Sequence, residues 1–489
     1  MKKITGLIIV FLSPLLLFSQ NISLNHSGTQ YDSFENPVQQ SFEKDFSRKY
    51  AVTLLPHLNG FLSFKGDEEK SFKKFLFTRV VSESSFTDLG NAKINQLNLN
   101  SNIYLVNYRI FKTRNYNREL GFSLQLREEG LANITNEIIS FIDDYRKFSK
   151  TTYQNPFNGN GYNQTYWQLG LTYRENYDKR WAFGGKLSLL NGLTYNKANV
   201  YASQLTVNQN GSYNASVTGN YISSFGFNSL SLTKLLPNLK NIGVAASLAT
   251  SYQTPSGFYF TVNLKDMGFI HWGKSTSKYS FNTNTTILNP SGNNAISQVL
   301  DPIIADSKAH EINKPFNSKI DTKIEFAASK QFGFYKPVFI FSKSTFNPQG
   351  QIAVVNNFQK NSFVFSLSPI YDLQSKLNLG SQIMVKSSNM EFYTGSEQVF
   401  PTYYLAKSYL TKNENIGKSN PRASFYIGIN VKFGPKMQNI GTAEEIPGLN
   451  DKETGYVVRL SKKERKKLQK KNKQIDKNWN KNNKRNRRR

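Results

Sequence analysis

The chain has 489 residues, a net charge of +29, 14% aromatic residues and no cysteine. Without a thiol there is no disulfide, no cysteine nucleophile, no thiolate zinc site and no cysteine-anchored lipid. The charge is uneven: residues 461–489 hold fifteen Lys and Arg against Glu464 and Asp476, or +13, which leaves +16 on everything before them.

In chain order, Lys2 and Lys3 precede an apolar run from Ile4 to Phe18, and Ser19 then offers a small cleavage position. This is the pattern of a secretory signal peptide, assigned to residues 1–19 and excluded from the fold. Residues 20–47 follow as an N-terminal periplasmic or plug segment. Beyond them no run approaches the roughly 18 apolar residues of a membrane-crossing helix. Only 38% of the chain is hydrophobic, yet it carries 37 Phe and 26 Tyr. A transmembrane β-barrel reconciles the two, because only alternate residues meet lipid while aromatics collect in two girdles.

Period-two alternation recurs through residues 48–434. Tyr104, Val106, Tyr108 and Ile110 share one face of YLVNYRIF, with Asn107 and Arg109 opposite. Phe122, Leu124 and Leu126 oppose Ser123, Gln125 and Arg127; Trp167, Leu169, Leu171 and Tyr173 oppose Gln168, Thr172 and Arg174. The same pattern places Ile242, Val244, Ala246 and Leu248 together, then Ile324 and Phe326, then Phe363, Phe365 and Leu367, then Leu377, Leu379, Ile383 and Val385. The second faces are polar or small, which fits a lumen better than the core of a sandwich. The fold expected is all-β: a transmembrane outer-membrane β-barrel of about 14 antiparallel strands. An even strand count puts both termini in the periplasm.

Two segments read as helices instead, 134–148 and 294–305, the second with Pro302 inside it. Each is either a loop helix resting its apolar stripe on the rim or a hatch in the barrel mouth. In FYFTVNLKDMGFIHW, Phe258, Phe260, Val262, Leu264, Ile270 and Trp272 share a parity, and Asp266 falls on it too. A carboxylate facing lipid is unfavourable. Burial under a loop, a rim position, or a bulge near Met267 and Gly268 would relieve it. The bulge would turn Asp266 and His271 inward as a candidate interior polar pair.

The last strand, ASFYIGINVKF, places Phe425, Ile427, Ile429, Val431 and Phe433 on one face and ends on an aromatic residue. It resembles the terminal signal that barrel-folding machinery reads. Residues 435–460 are a polar linker. Residues 461–489 are the basic periplasmic tail, where Ser461 and Glu464 fit a capping box and the end is expected to be disordered alone. Beyond the closing strand nucleic acid is not a sensible partner, so the tail's Lys462, Lys463, Lys466, Lys467, Lys470, Lys471, Arg485, Arg487, Arg488 and Arg489 are assigned to docking. The surfaces that suit them are anionic ones: lipid headgroups, peptidoglycan carboxylates or an acidic protein face. The four histidines, His26, His57, His271 and His310, form no metal-ligand spacing, and no nucleophile motif or phosphate-binding loop occurs. No enzyme activity, cofactor or metal is expected.

Three stretches carry a family resemblance: SFENPVQQSFEKDFSRKYAVTLLPHLNGFLSF, TYWQLGLTYRENYDKRWAFGGKLSLLNGLTYNKANV, and DMGFIHW from Asp266 to Trp272. They resemble Bacteroidota outer-membrane barrels of the family DUF5723, which has no assigned activity. That family is similar in turn to the long-chain fatty-acid transporter barrels and to barrel proteins of the type IX secretion system. Asn36-Pro37 matches the Asn-Pro-Ala start of this wider group, with Val38 in place of Ala. The resemblance implies a fourteen-stranded barrel with an N-terminal plug. The transporters end at the closing strand, whereas this chain continues for 56 residues. The expected function is therefore an accessory or scaffold subunit of an outer-membrane assembly or secretion machine, its tail docking periplasmic or outer-membrane proteins, or peptidoglycan. The alternative is a passive channel for hydrophobic or small solutes, which predicts a continuous lumen and an apolar pocket near the plug.

Overall fold

Residues Phe363–Asp372 show why the chain closes on itself. Phe363, Phe365, Leu367 and Tyr371 are exposed while Val364, Ser366, Ser368, Ile370 and Asp372 are buried, in strict alternation. One face of such a strand suits lipid and the other a crowded interior, and repeating it leaves no polar edge once the ring is shut. The computed structural model describes residues 28–436, apart from 40, 43–47, 79, 85–88, 112–116, 228–235, 238, 275, 289–291, 374–375, 414 and 418–420, and also Lys470. The signal peptide, residues 20–27, nearly all of the linker, the capping box at Ser461 and every tail residue except Lys470 lie outside the described residues.

Among the described residues there are nineteen strands. They are β1 (Arg48–Lys65), β2 (Ile94–Phe111), β3 (Arg118–Thr135), β4 (Thr152–Gln154), β5 (Gly159–Asn176), β6 (Trp181–Val207), β7 (Tyr213–Ser223), β8 (Ile242–Gln253), β9 (Phe258–Trp272) and β10 (Ser277–Ile287). The series continues with β11 (Glu311–Asn313), β12 (Phe316–Lys319), β13 (Lys323–Lys330), β14 (Tyr335–Ser344), β15 (Gly350–Lys360), β16 (Phe363–Asp372), β17 (Lys376–Lys386), β18 (Met390–Ser396) and β19 (Ala423–Lys436). Fourteen of them form the ring, antiparallel throughout: β1, β2, β3, β5, β6, β8, β9 and β13 to β19, with β19 closing on β1. The strand count expected from the sequence is the one observed, and the ring runs two residues past the expected boundary, to Lys436.

Arg48 and Lys436 meet at one end of the ring, which also carries its tight turns; we call it the turn end. The opposite, loop end carries the long connections. There β6 outruns the ring and its outer half pairs with β7, which pairs with β10, making a ribbon that stands above the wall. Among residues 28–436 as described, five α-helices complete the fold: α1 (Gln30–Glu35), α2 (Glu69–Thr78), α3 (Asn136–Asp143), α4 (Gly292–Ala309) and α5 (Val399–Thr411). The two helices read from sequence correspond to α3, shorter than expected, and α4, which continues through Pro302. Both rest on the rim: Phe141 and, from α4, Val299 and Ile303 pack with Leu205, Val217, Tyr221 and Phe281 of the ribbon.

The expected faces hold except where the wall carries an extra residue. Between β2 and β3 the register shifts at Leu105, so Tyr104 is fully buried and faces the lumen instead of sharing a face with Val106. Between β8 and β9 it shifts between Leu264 and Met267. Because side chains alternate with period two, one inserted residue reverses everything after it. Ile270 and Trp272 are therefore fully buried in the lumen rather than on the lipid face, and Phe269 and His271 are exposed.

Candidate functional site: the plugged lumen

A ring of fourteen strands is wider than its own side chains can fill. The space is taken by a separate piece of chain, the plug, residues 28–42. Thr29 starts it with a capping box: the Asp32 backbone N–H donates to Thr29 Oγ1, and the Thr29 N–H donates to Asp32 Oδ2, each at 3.1 Å. A six-residue helix does not persist alone, and α1 stands because the wall encloses it, leaving all six residues buried. Tyr31 and Phe34 lie against Tyr104, ring centroids 5.4 and 6.4 Å away. Two wall glycines make the room. A Cβ at Gly121 would sit 2.7 Å from Phe34 Cε1, and one at Gly184 would sit 2.7 Å from Pro37 Cβ.

The plug is tied to strands on several sides of the ring. The Gln30 N–H donates to Glu391 of β18 at 2.7 Å, and its side chain donates to the carbonyls of Ala51 and Asn107. Asn59 donates to Tyr31 Oη at 2.7 Å, Asn263 to the Glu35 carbonyl at 3.1 Å, and Lys386 to the Gly28 carbonyl at 2.7 Å. The Glu35 carboxylate accepts from Asn102 at 3.0 Å and from Tyr104, and pairs with Lys265. Burial pushes the carboxyl of Glu35 up, and Lys265, Lys186 and Arg127 more than reverse this, holding it at about 2. Around this contact runs a belt of buried charge. Arg127 pairs with Asp266 and approaches Glu129 at 3.7 Å, and Gln168 bridges Arg127 and Asp266 at 3.2 and 3.1 Å. Lys432 and Glu391, both fully buried, pair at 3.2 Å.

Beside the plug the wall itself is interrupted. Val52 pairs with Tyr108 and the next pair across is His57 with Tyr104, so the β1–β2 ladder skips Thr53 to Pro56. Pro56 has no N–H to give a ladder, and Leu54 and Leu55 are more than half exposed. The two carbonyls that Gln30 caps, Ala51 and Asn107, flank this break.

At the loop end a second feature stands out. Leu62, Phe64, Leu97, Leu99 and Ala132 continue the outward parity of the wall, yet α2 and α3 cover them through Phe75, Phe72 and Ile139. Between helices and wall lies a cavity of about 270 Å³ lined by Phe64, Phe72, Phe75, Leu97, Ala132, Ile134 and Ile138.

The sequence places Asp266 and His271 together, and the structure does not. Asp266 turns inward at the bulge, with φ of 55°, and is 1% exposed. His271, beyond the bulge, is exposed and meets Asn317 at 2.8 Å. The bulge that turns one residue in restores the other to the outside. Phe425 and Phe433 are exposed, Ile427, Ile429 and Val431 partly so, and Tyr426, Asn430 and Lys432 are buried, as the terminal strand predicts. Lys470 is exposed, and the remaining tail residues assigned to docking lie outside the described residues. Glu35, Lys186 and Lys265 were not singled out from sequence. A signal existed for Lys186, a charge between Gly185 and Leu187 on a parity opposite the apolar one. Among the described residues no group of His, Asp and Glu is disposed to hold a metal.

The family model described as "Family of unknown function (DUF5723)" matches residues 47–397. No curated protein matches the chain. Among solved structures, the toluene transporter TbuX of Ralstonia pickettii is 8% identical, with 83% of this chain and 94% of that one covered at a TM-score of 0.40. The toluene transporter TodX of P. putida is 8% identical, covering 83% and 95% at 0.38. A FadL homologue of Pseudomonas aeruginosa is 8% identical, covering 83% and 94% at 0.40.

Proposed function

The chain belongs to the DUF5723 family of unknown function, and from the geometry of its plug we propose that it is a gated outer-membrane channel for hydrophobic or small solutes. The observation that carries this reading is that chain outside the wall, not strand side chains, fills the centre of the lumen. In this reading the seated plug closes the lumen, and passage requires the plug to leave. Its ties are mostly hydrogen bonds, each worth only about 0.5–1.5 kcal/mol net because water replaces them. The loop end faces the outside and both termini face the periplasm in this reading.

The test is flux. Reconstituted in liposomes, full-length protein is expected to pass small uncharged solutes slowly, and a chain lacking residues 28–42 at least about tenfold faster, the factor that about 1.4 kcal/mol sets. Equal impermeability of the two would sink the reading. The loop-end cavity is the entry site on this view. Ala132→Trp fills it, and an apolar fluorescent probe is expected to bind at least about tenfold more weakly, with the barrel still folded. Unchanged binding would remove the cavity from the pathway.

A scaffold role retains one supporting feature, the charge of the tail. If the tail docks a partner, stopping the chain after Gly434 will lose proteins that co-purify stoichiometrically with the full-length form, and salt will weaken the association. If both forms purify alone, the barrel by itself is the function.

A further inference from the structure

The ribbon of β6, β7 and β10 has two unlike faces. On one, Val217 and Tyr221 of β7 and Tyr279 and Phe281 of β10 are buried, packed with residues of α3 and α4. The alternate residues form the other face, and it is polar. Across it the register sets Lys197, Ile222, Lys278 and Ile312 side by side, and next to them Asn199, Asn220 and Ser280. Further along lie Thr218 beside Asn282, Ser216 beside Asn284 and Asn214 beside Thr286. The first two rows and His310 line a cavity of about 430 Å³, and Lys197, Asn220, Ser280 and His310 are exposed. No acidic residue occurs in β6, β7 or β10. Among the described residues no ion pair or hydrogen bond reaches the ammonium of Lys197, and that of Lys278 stands 5.5 Å from the centroid of the Phe316 ring. The acids nearby have other partners. Glu311 shares the Tyr279 side of the ribbon and accepts from Ser277 at 2.5 Å. Asp306 meets His310 at 3.1 Å and accepts from the Asn282 N–H at 2.7 Å.

Two strand spacings, about 9–10 Å, separate the lysine backbones, so both ammonium groups can close on one anion held over Ile222. The rest of the face says what carries that anion. A bilayer selects apolar side chains, and a protein partner selects aromatic residues, Met and Arg over Ser. This face offers amides and hydroxyls, groups that both donate and accept, in rows that run on along the strands from the lysine pair. Its complement is a molecule that bears hydroxyl groups along its length. We propose that this face binds an anionic saccharide, with the charged group between Lys197 and Lys278 and the hydroxyls along Asn199, Asn220, Ser280 and the rows beyond. The site goes beyond the channel reading and stands apart from it, because it lies on the ribbon and needs no movement of the plug.

The basic tail also attracts polyanions, so the test reads this face alone. The chain has no native cysteine, and Ser280→Cys puts one in the cavity of the full-length protein. Bound ligand shields it from an uncharged maleimide, and the concentration that halves the labelling rate measures affinity. A heat-dependent gel shift confirms a folded barrel in every sample. A sulfated heparin tetrasaccharide is expected to protect at a concentration at least about tenfold below that of neutral maltotetraose or of inorganic sulfate. Lys197→Gln with Lys278→Gln is expected to raise the tetrasaccharide concentration needed by about tenfold or more. Lys407→Gln with Lys412→Gln, exposed lysines of α5 and its C-terminal end, is expected to change nothing. Asn220→Leu is expected to weaken protection by the tetrasaccharide and not by sulfate. Maltotetraose acting as well as the tetrasaccharide overturns the charge requirement, and sulfate acting as well reduces the site to an anion hole and overturns the saccharide. Undiminished protection in the Lys197 and Lys278 double variant overturns the site, as does a Ser280→Cys that no saccharide protects.

Discussion

Replacing Asp266 by Asn is expected to cost the barrel about 3–5 kcal/mol. The carboxylate is buried, pairs with Arg127, accepts from Gln168 at 3.1 Å and shares the lumen with Lys186 and Lys265. Removing its charge leaves a guanidinium enclosed with too little negative charge around it, the costly half of a broken buried pair. Asn keeps the left-handed backbone that Asp266 adopts at φ 55°, so it isolates the charge. Asp266→Ala is expected to lose about 1–2 kcal/mol more, since a plain side chain in that region is strained. Changing Arg127 to Met together with Asp266→Asn should recover much of the loss, because neither charge is then left alone. Urea unfolding in detergent micelles, followed by tryptophan fluorescence, reads all three. A loss below about 1 kcal/mol for Asp266→Asn would show that the belt is water-filled and loosely coupled.

Gly184→Leu is expected to expel the plug. The first added carbon alone meets Pro37 Cβ at 2.7 Å, Val38 Cγ1 at 3.0 Å and the Pro37 backbone carbon at 3.3 Å. Overpacking of this kind costs about 1–3 kcal/mol when the neighbours cannot yield, and the plug, unlike the wall, has somewhere to go. Maleimide labelling of Ser33→Cys should rise at least about tenfold, and liposome flux should rise with it. Gly185→Leu is the control: a Cβ there meets nothing closer than 3.4 Å and lies on the lipid-facing parity, so labelling should not change. If Gly184→Leu stays closed to the maleimide, the plug is as permanent as the wall.

The barrel could be read from sequence because its cause is local. Phe363, Phe365 and Leu367 alternate with small and polar residues whatever the rest of the chain does, and repeating that pattern gives both the architecture and the strand count. The errors fall where one inserted residue changes the phase. Tyr104 lies before the bulge at Leu105, and Ile270 and Trp272 lie after the one at Asp266. Each read as lipid-facing, because alternation is counted from either end and does not announce where the count slips. Asp266 marked its own bulge by being a charge on an apolar parity, though His271 did not follow it inward. The plug could be placed as a segment by its position before the first strand. Its contacts could not: Glu35 meets Asn102, Tyr104 and Lys265 only when ring closure brings β2 and β9 around it, a fact about long-range contacts and not about any short pattern.

Thr53 to Pro56 give the hoop a seam. A closed ring shares load among all its staves, so it resists expansion until one joint fails, and this ring has a joint already missing rungs between β1 and β2. Amide hydrogens within that stretch, such as those of Leu54 and Leu105, should exchange with solvent before those of the unbroken β16–β17 joint. Gln30 acts there as a cross-pin, holding carbonyls on both staves from within. Seating and wall stiffness are then one variable: a barrel that has lost its stopper has also lost the pin across this broken joint, and is expected to breathe more there.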